Sequence, residues 1–367
     1  MRHVPRLLIR LGAVLTVTTA TAAFLAAPAE AAGGGVAWVT GNRIKFKAAA
    51  SGANRLVITR SGRTITIDDK RAIKPGKGCK QVKGDKTRVR CTAAQSPTRV
   101  RVELRGGNDV VTNRTDVPLI AYGNDGDDRL YGGSLPDFLY GGSGADKLDG
   151  RAGSDYIYGA SGSDKIYGGT GGDYLYAASG NDLILGGDGD DQLYGELGRD
   201  RLDGGAGNDQ LRGDDYGQGA VSADVLLGGT GRDSVSYNTY RVPVSVNLDG
   251  RANDGKAGEK DTVGADVEDI EGGSAGDRLI GSTANNYLQG WSGSDVLYGG
   301  AGDDVLEDGL GRDFLYGEAG DDDLRAIDNG GTPSADRVDG GVNGTKGDLC
   351  LYNSPDTLIG CEESSNE

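Results

Sequence analysis

Histidine is nearly absent from this chain of 367 residues, in which His3 is the single one. The rest of the chain therefore lacks the imidazole that Ser-His-Asp catalysis, Cys-His catalysis or a histidine zinc helix requires. Four cysteines are present, and their spacing excludes a CxxC motif. After residue 31 no apolar run is long enough to cross a bilayer. We therefore expect a protein that has no transmembrane segment and is not an enzyme.

Glycine and aspartate are abundant instead, and they recur together with a period of nine residues. The repeat reads G-G-x-G-x-D-x-U-x, where U is a large aliphatic residue, as in GGSGADKLD (141–149) and GGDGDDQLY (186–194). We number its positions one to nine; position six is Asp in all ten copies, and positions one and four are each Gly in nine of ten. The ten aspartates are Asp128, Asp137, Asp146, Asp155, Asp164, Asp173, Asp182, Asp191, Asp200 and Asp209.

The period is interrupted twice after this first array. Six extra residues precede Asp224 and Asp233, and residues 236–276 break the pattern for longer. Within that break, residues 244–248 alternate like a strand and residues 253–255 favour a turn. A second array follows, in which Asn286 keeps an oxygen but lacks the charge, and Asp336 and Asp348 are out of phase. The aspartates of the second array are Asp277, Asp295, Asp304, Asp313 and Asp322.

This nonapeptide resembles the calcium-binding repeat of the RTX (repeats-in-toxin), or hemolysin-type, family. The motifs cover most of residues 123–235 and 277–325. The resemblance implies an all-β fold, namely a right-handed parallel β-roll with about 18 residues per coil, here in two blocks. It also implies calcium binding and secretion. Hemolytic activity is not expected, because the chain has no hydrophobic pore-forming segment.

The physical chemistry of the repeat is consistent with such a coil. Positions seven to nine form a short strand whose aliphatic side chain points inward, and positions one to six form a turn. Glycines in the turn supply positive φ angles and allow close backbone approach. Two repeats make one coil, so aspartates two repeats apart stack at ~4.8 Å on the same edge. Carboxylates at that spacing repel each other unless a cation lies between them.

Calcium suits this place because it accepts about six to eight oxygen ligands in flexible geometry, whereas magnesium demands a tighter octahedron. We predict that every position-six aspartate of both arrays ligates calcium, including Asp224 and Asp233, in about eight sites of the first array and a few of the second. Individual sites are weakened where Leu135 and Pro136 alter a turn. Other weakened sites are those where the second glycine is replaced, by Arg151, Ala160, Ala178 and Glu196.

Charge divides the chain unevenly. Residues 32–105 hold 18 Lys and Arg against 4 Asp and Glu, whereas residues 106–367 hold 18 against 50. We expect a small basic β domain at 32–105 with strands at 55–67 and 98–104, and then array 1 at 106–235. An irregular β insertion (236–276), array 2 (277–325) and a C-terminal cap (326–367) follow. The basic domain either binds acidic cell-wall polymers or complements the acidic arrays, and a nucleic-acid partner is not expected.

Residues 1–31 have the features of a secretory signal peptide: a basic start, an apolar stretch and a small-x-small cleavage site that ends at Ala31. The predicted location is therefore extracellular, without a membrane anchor. Cys79 lies near Cys91, and Cys350 lies near Cys361. Local pairing in a secreted chain predicts two disulfides.

One outer face of the predicted roll is aromatic, because Tyr140, Tyr158, Tyr176 and Tyr194 fall on one 18-residue stripe. The stripe is interpreted either as a ladder that stiffens the sheet or as a docking surface for polysaccharide, protein or a second copy. We predict a secreted, non-enzymatic calcium-binding protein. The alternative is a cell-envelope or matrix adhesion module that uses the roll as a scaffold, and a carbohydrate-active or other enzyme is the third hypothesis.

Overall fold

The computed structural model describes residues 34–49, 52–215, 222–328, 334–344, 346–352 and 355–366. Every regular element in these ranges is a β-strand, so the all-β prediction is confirmed. Among the described residues there is no helix with the length and apolar character needed to cross a membrane. The predicted signal peptide, residues 1–31, lies outside the described residues.

Thirty-six strands follow one another along the part of the chain that the structure describes. The first eight are β1 (Gly35–Thr40), β2 (Arg43–Ala48), β3 (Arg55–Ser61), β4 (Thr64–Asp68), β5 (Ile73–Pro75), β6 (Cys79–Val82), β7 (Asp85–Thr92) and β8 (Arg99–Glu103). Those of the first array are β9 (Val110–Arg114), β10 (Leu119–Asp125), β11 (Arg129–Tyr131), β12 (Phe138–Ser143), β13 (Lys147–Ala152), β14 (Tyr156–Ser161), β15 (Lys165–Thr170), β16 (Tyr174–Ser179), β17 (Leu183–Asp188), β18 (Gln192–Leu197), β19 (Arg201–Ala206), β20 (Gln210–Arg212), β21 (Val225–Thr230) and β22 (Ser234–Ser236).

The remaining strands belong to the insertion, the second array and the C-terminal region. The insertion contains β23 (Val244–Asn247), β24 (Ala252–Lys256), β25 (Asp261–Val263) and β26 (Asp269–Glu271). The last ten are β27 (Arg278–Ile280), β28 (Tyr287–Gln289), β29 (Val296–Ala301), β30 (Val305–Glu307), β31 (Phe314–Gly320), β32 (Asp323–Ala326), β33 (Arg337–Asn343), β34 (Leu349–Tyr352), β35 (Thr357–Ile359) and β36 (Glu363–Asn366).

Alternate strands of the arrays enter two long sheets, as a two-repeat coil requires. Within each sheet the array strands pair in parallel, and most registers advance by 18 residues, as in Leu139↔Ile157↔Leu175. The first sheet has 17 strands in the order β5, β1, β2, β8, β10, β12, β14, β16, β18, β20, β22, β26, β28, β30, β32, β34, β36. The second sheet has the order β6, β7, β4, β3, β9, β11, β13, β15, β17, β19, β21, β25, β24, β23, β27, β29, β31, β33, β35. The predicted parallel β-roll is confirmed, and both arrays share the same two sheets.

The array strands are longer than the sequence predicted. Many span six residues rather than three, because positions one to three of the next repeat continue the parallel pairing, as in Ser143↔Ser161. The glycines at these positions permit this continuation, since no side chain separates the successive turns. The three residues G-x-D then remain as the tight turn.

The core is a single layer of aliphatic side chains between the sheets. The position-eight residues of both arrays are 0–1% exposed, and they join one cluster of buried residues that extends from Ala37 to Cys350. Because each coil adds two such side chains, the core grows in one dimension and every coil depends on its neighbours.

The N-terminal strands continue the sheets rather than standing apart from them. Hairpins β1–β2 and β3–β4 are antiparallel, and both predicted strand regions, 55–67 and 98–104, contain strands. Strand β8 pairs in parallel with β10, and β3 pairs in parallel with β9. The Cys79–Cys91 disulfide joins β6 to β7, and the Cys350–Cys361 disulfide joins β34 to the segment that follows β35, so both predicted disulfides are confirmed.

The insertion adds three strands, β23, β24 and β25, to the second sheet and one strand, β26, to the first. The strand predicted at 244–248 is β23, whereas the turn predicted at 253–255 is wrong because these residues lie within β24. The Asp254 carboxylate explains the difference. It accepts hydrogen bonds from the N–H groups of Asn247 (2.7 Å) and Val263 (2.9 Å), and so holds β24 between its two neighbours.

Two adjacent residues of β17 test which side chains of the strand face the core and which face outward. Ile184 is fully buried and Leu185 points outward. Ile184→Ala should lower the free energy of unfolding by ~2–5 kcal/mol, because it leaves a cavity in the core. Leu185→Ala should cost less than ~1 kcal/mol. Urea unfolding of the calcium-loaded variants measures both values, and equal losses would contradict the assignment.

Candidate metal centre

A ladder of hydrogen bonds connects the position-six aspartates of successive coils. The N–H of Asp128 donates to Oδ1 of Asp146 (2.7 Å), and that of Asp146 donates to Oδ1 of Asp164 (2.8 Å). A second ladder on the opposite edge joins Asp137, Asp155 and the following aspartates in the same way. In the first array these bonds measure 2.7–2.9 Å. One oxygen of each carboxylate is therefore committed to the backbone.

The second oxygen of most of these carboxylates has no partner in the protein. All seventeen predicted ligands are at most 4% exposed. In fifteen of them Oδ2 is buried and accepts no hydrogen bond. These are Asp128, Asp146, Asp155, Asp164, Asp173, Asp182, Asp191, Asp200, Asp209, Asp224, Asp233, Asp295, Asp304, Asp313 and Asp322. A buried, unpaired carboxylate oxygen is costly, so this geometry calls for a cation.

Glycine at position one keeps the space around most of the free oxygens open. A Cβ built on Gly141 would come within 3.0 Å of both Asp146 Oδ2 and the carbonyl oxygen of Gly159 in the next coil. A carboxylate oxygen and a backbone carbonyl oxygen thus converge beside the same glycine. Hard oxygen donors of this kind are the ligands that calcium prefers, and the residues present fit that ion.

Position four sets the shape of these turns. Its glycine has a positive φ, for example 128° at Gly144 and 117° at Gly171. Position two also has a positive φ, even where the second glycine is replaced: φ is 74° at Arg151, 84° at Ala178 and 73° at Glu196. The replacements that we expected to weaken sites therefore keep the open geometry. Asp155, which follows Arg151, still has its free Oδ2.

Three turns that lack the position-four glycine adopt a closed form. Position four is Leu135, Ala275 or Ala284, and in these turns position two does not have a positive φ. Its N–H instead donates to the site side chain. Gly133 donates to Oδ2 of Asp137, Gly273 to Oδ2 of Asp277, and Ser282 to Oδ1 of Asn286 (2.7 Å). Asp137 and Asp277 are therefore the two predicted ligands whose second oxygen is already satisfied.

Burial raises the pKa of the ladder carboxylates strongly. The pKa of Asp155 is about 8, that of Asp164 about 7 and that of Asp173 about 6, because burial disfavours the charged form. The N–H donors act in the opposite direction, and neighbouring aspartates raise the pKa of Asp155 and Asp164 further. Without a cation these groups bind protons near neutral pH.

The ladders extend beyond the residues that the nine-residue period identified. Asp313 N–H donates to Asp336 (2.8 Å) and Asp322 N–H to Asp348 (2.9 Å), although both acceptors are out of phase in the sequence. Asp109 precedes Asp128 in its ladder, with a bond of 2.7 Å. Each added aspartate is followed two residues later by a buried residue of the core, and this D-x-U pattern could have found them without a fixed spacing.

The predicted tyrosine stripe forms a ladder on the first sheet. Tyr140 and Tyr158 stack with ring centroids 5.2 Å apart, Tyr158 and Tyr176 at 5.0 Å, and Tyr176 and Tyr194 at 6.0 Å with tilted planes. A second column of rings runs beside it, formed by Phe138, Tyr156 and Tyr174. Arg212 lies over the ring of Tyr194 at one end, 5.6 Å from its centroid. The ring faces are largely used in stacking, which leaves mainly edges and hydroxyls outward.

Comparison with known families identifies the repeats. The family described as RTX calcium-binding nonapeptide repeat (4 copies) matches at residues 122–157, 140–175, 149–184, 176–211, 211–238, 271–306 and 298–326. These ranges contain the open turns and also the three closed ones. A comparison with curated proteins found no match.

The open and closed turns predict different effects of the same substitution. Asp173→Asn removes a free charged oxygen from an open turn, so the calcium concentration at the folding midpoint should rise severalfold. Asp137→Asn, on the same edge, alters a turn that is closed by its own N–H, and it should shift the midpoint much less. Calcium titration followed by circular dichroism measures both midpoints. Equal shifts would contradict the division into open and closed turns.

The raised pKa values predict opposite effects of acid with and without calcium. The folded pKa values of about 6 to 8 exceed the ordinary ~3.9, so between these values the folded state binds more protons. In a chelator, acidification from about pH 8 to about pH 5.5 should therefore stabilise the roll. In calcium the same change should destabilise it, because protons compete with the metal. The amount of β structure seen by circular dichroism measures the trend in the chelator, and thermal unfolding measures it in calcium. The same sign in both buffers would refute this reasoning.

Proposed function

The chain is an RTX nonapeptide-repeat protein, and from this premise we propose that it is secreted and folds by binding calcium between its stacked turns. The observation that carries the proposal is the set of fifteen buried Oδ2 atoms that accept no hydrogen bond. Thirteen of them, all but those of Asp182 and Asp313, lie beside a glycine, and in most of these turns a carbonyl oxygen of the neighbouring coil also comes close, as at Gly141. Calcium would supply the missing positive charge at these oxygens and join adjacent coils.

The energetic reason for coupling metal binding to folding is electrostatic. Two charged carboxylates ~4.8 Å apart repel by about 3 kcal/mol at an effective dielectric constant of ~20. This repulsion recurs along both ladders, whereas each coil contributes only two aliphatic side chains to the core. The free energy of calcium binding then becomes free energy of folding. We propose affinities of ~10⁻⁴–10⁻³ M per site, in the range of extracellular calcium modules.

The proposal places the protein outside the cell. Two disulfides, Cys79–Cys91 and Cys350–Cys361, support an oxidising compartment. Residues 1–31 have the composition of a secretory signal. N-terminal sequencing of protein recovered from the culture medium should give a chain that begins at Ala32, and a chain that still begins at Met1 would argue against this processing.

The proposal assigns the chain no catalytic activity. Histidine is missing after His3, and the ladder carboxylates each commit one oxygen to the backbone. A general acid or base among them would lose the freedom to exchange protons once calcium is bound. Turnover of a substrate by purified calcium-loaded protein, abolished by a single carboxylate substitution, would contradict this assignment.

Calcium removal is the direct test of the proposed function. In a chelator the far-ultraviolet circular dichroism should show little β structure, which should return cooperatively when calcium is added, with a midpoint of ~10⁻⁴–10⁻³ M. Magnesium at the same concentration is the control and should restore much less, because its ligand geometry is stricter. Full β content in the chelator would contradict the proposal that calcium binding drives folding.

A second candidate function is adhesion through the aromatic face. It is favoured by an ordered surface of rings that includes Tyr156, which is 45% exposed. The stacking described above favours a stiffening role, since stacked rings offer little free face to a sugar. The tyrosine hydroxyl groups and ring edges nevertheless form a regular surface for a protein, a glycan or a second copy.

Replacing Tyr140, Tyr158, Tyr176 and Tyr194 together by Ser distinguishes the two roles. A stiffening ladder should lose ~0.2–1 kcal/mol of stability per cross-strand pair and leave binding unchanged. A docking surface should fold with calcium yet lose retention on cell walls or lose self-association. Sedimentation and cell-wall pull-down of folded parent and variant decide, and identical behaviour in both assays would exclude the adhesion role of these rings.

A further inference from the structure

We infer that Asp308, Asp313 and Asp336 form a three-carboxylate cation site that binds calcium more tightly than the ordinary turns and is occupied first. This inference rests on the proposed calcium binding and names one site within it as the strongest. Among the described residues, it is the one place where three acidic side chains bring ligand atoms within 4.8 Å of one another.

Asp308 is the residue that makes this turn different. It occupies position one of the turn 308–313, where other turns carry glycine or, at Ala177, alanine. At Gly290 in the preceding turn on the same edge, a Cβ would come within 3.0 Å of Asp295 Oδ2, so position one faces the metal-binding space. In the turn 308–313 a carboxylate therefore enters the space that the other turns leave open.

The oxygens of this cluster are partly committed and partly free. Oδ1 of Asp308 accepts the N–H of Ile327 (3.1 Å), and Oδ1 of Asp313 accepts the N–H of Asp295 (2.7 Å). The Oδ2 atoms of Asp308 and Asp313 are buried and accept no hydrogen bond. Asp308 is 1% exposed and Asp313 is 0% exposed. Two buried carboxylate oxygens without a hydrogen-bond partner thus lie together in this turn, whereas an ordinary open turn has one.

The third carboxylate comes from the next coil. Oδ1 of Asp336 accepts the N–H of Asp313 (2.8 Å), which places Asp336 directly above it in the ladder. Two oxygens on opposite sides of a calcium ion at ~2.4 Å lie ~4.8 Å apart, so all three carboxylates are within reach of a single ion. The donors come from two stacked turns, and the ion would join these coils.

The charge of the cluster is uncompensated by protein cations. Among the described residues no Lys or Arg forms an ion pair with Asp308, Asp313 or Asp336. A fourth carboxylate, Asp328, accepts the N–H of Gly311 at 3.1 Å and adds negative charge nearby. The affinity of calcium sites increases with the charge of the ligands. One more carboxylate than an ordinary turn provides should raise the affinity at least about tenfold.

A tryptophan beside the site provides a selective reporter. The chain has two tryptophans, Trp38 and Trp291. Trp291 lies in the adjoining turn, where its carbonyl oxygen accepts the N–H of Leu310 (2.9 Å). Trp38 lies in β1, which is eleven strands away from β28 in the first sheet, a distance of ~50 Å. Terbium, a hard cation that binds oxygen ligands, would therefore be sensitised here by Trp291.

The experiment titrates terbium into the metal-free full-length protein, with excitation at the red edge of tryptophan absorption. Terbium emission should rise in a first, tight phase, and circular dichroism is recorded in parallel. Trp291→Phe should abolish the emission while calcium-dependent folding is retained. Asp308→Gly, which restores the glycine of the other turns, and Asp308→Asn should move the first phase to concentrations at least about tenfold higher.

Asp188→Ser is the matched control, because it removes one charge from an exposed position-three residue of the first array and should leave the tight phase unchanged. Equal terbium titrations for the parent, Asp308→Gly and Asp308→Asn would overturn the three-carboxylate site, even if calcium still folds the protein. Failure of calcium to fold the parent would overturn the proposed function instead, and a tight terbium phase that depends on Asp308 would still establish the site.

Discussion

The structure depends on one hydrogen bond, which the N–H of each position-six aspartate donates to the aspartate of the next coil. The bond fixes the carboxylate beside the backbone and buries it, as at Asp146 and Asp164. It satisfies one oxygen and leaves the other without a partner. The same contact that sets the register of the coils therefore creates the need for a cation, and fold and metal binding have a common cause.

The glycines determine in which turns the second carboxylate oxygen stays unpaired and requires a cation. A position-four glycine with positive φ, as at Gly171, turns the position-two N–H away from the carboxylate and leaves Oδ2 free. In three turns that lack this glycine, as at Leu135, the turn closes and its own N–H takes the place of a cation at the site side chain, as at Asp137. The arrays are thus mixed, with turns that depend on metal and turns that are held by the backbone alone.

Much of the fold could be predicted from the sequence, because a strict period with an inward aliphatic at position eight permits few arrangements. The nine-residue period did not identify ladder residues where extra residues lengthen the spacing between repeats. Asp336 and Asp348 are out of phase in the sequence, yet both join the ladders. The open or closed form of each turn also could not be predicted from the sequence. Replacement of the second glycine, as at Arg151, keeps a turn open, whereas the three closed turns lack the glycine at position four. Which carboxylate oxygen is bonded depends on backbone direction, which a residue pattern does not specify.

Anomalous diffraction from crystals grown in calcium is the sharpest test of metal binding in the open turns, because it locates the ions without reference to any spectroscopic signal. We expect ion peaks at the free Oδ2 atoms of open turns, such as those of Asp164 and Asp173, with a peak shared by Asp308 and Asp313. We expect no peak at the closed turns of Asp137 and its counterparts in the second array. Ions at the closed turns, or open turns without ions in saturating calcium, would contradict the assignment of calcium to the unpaired carboxylate oxygens.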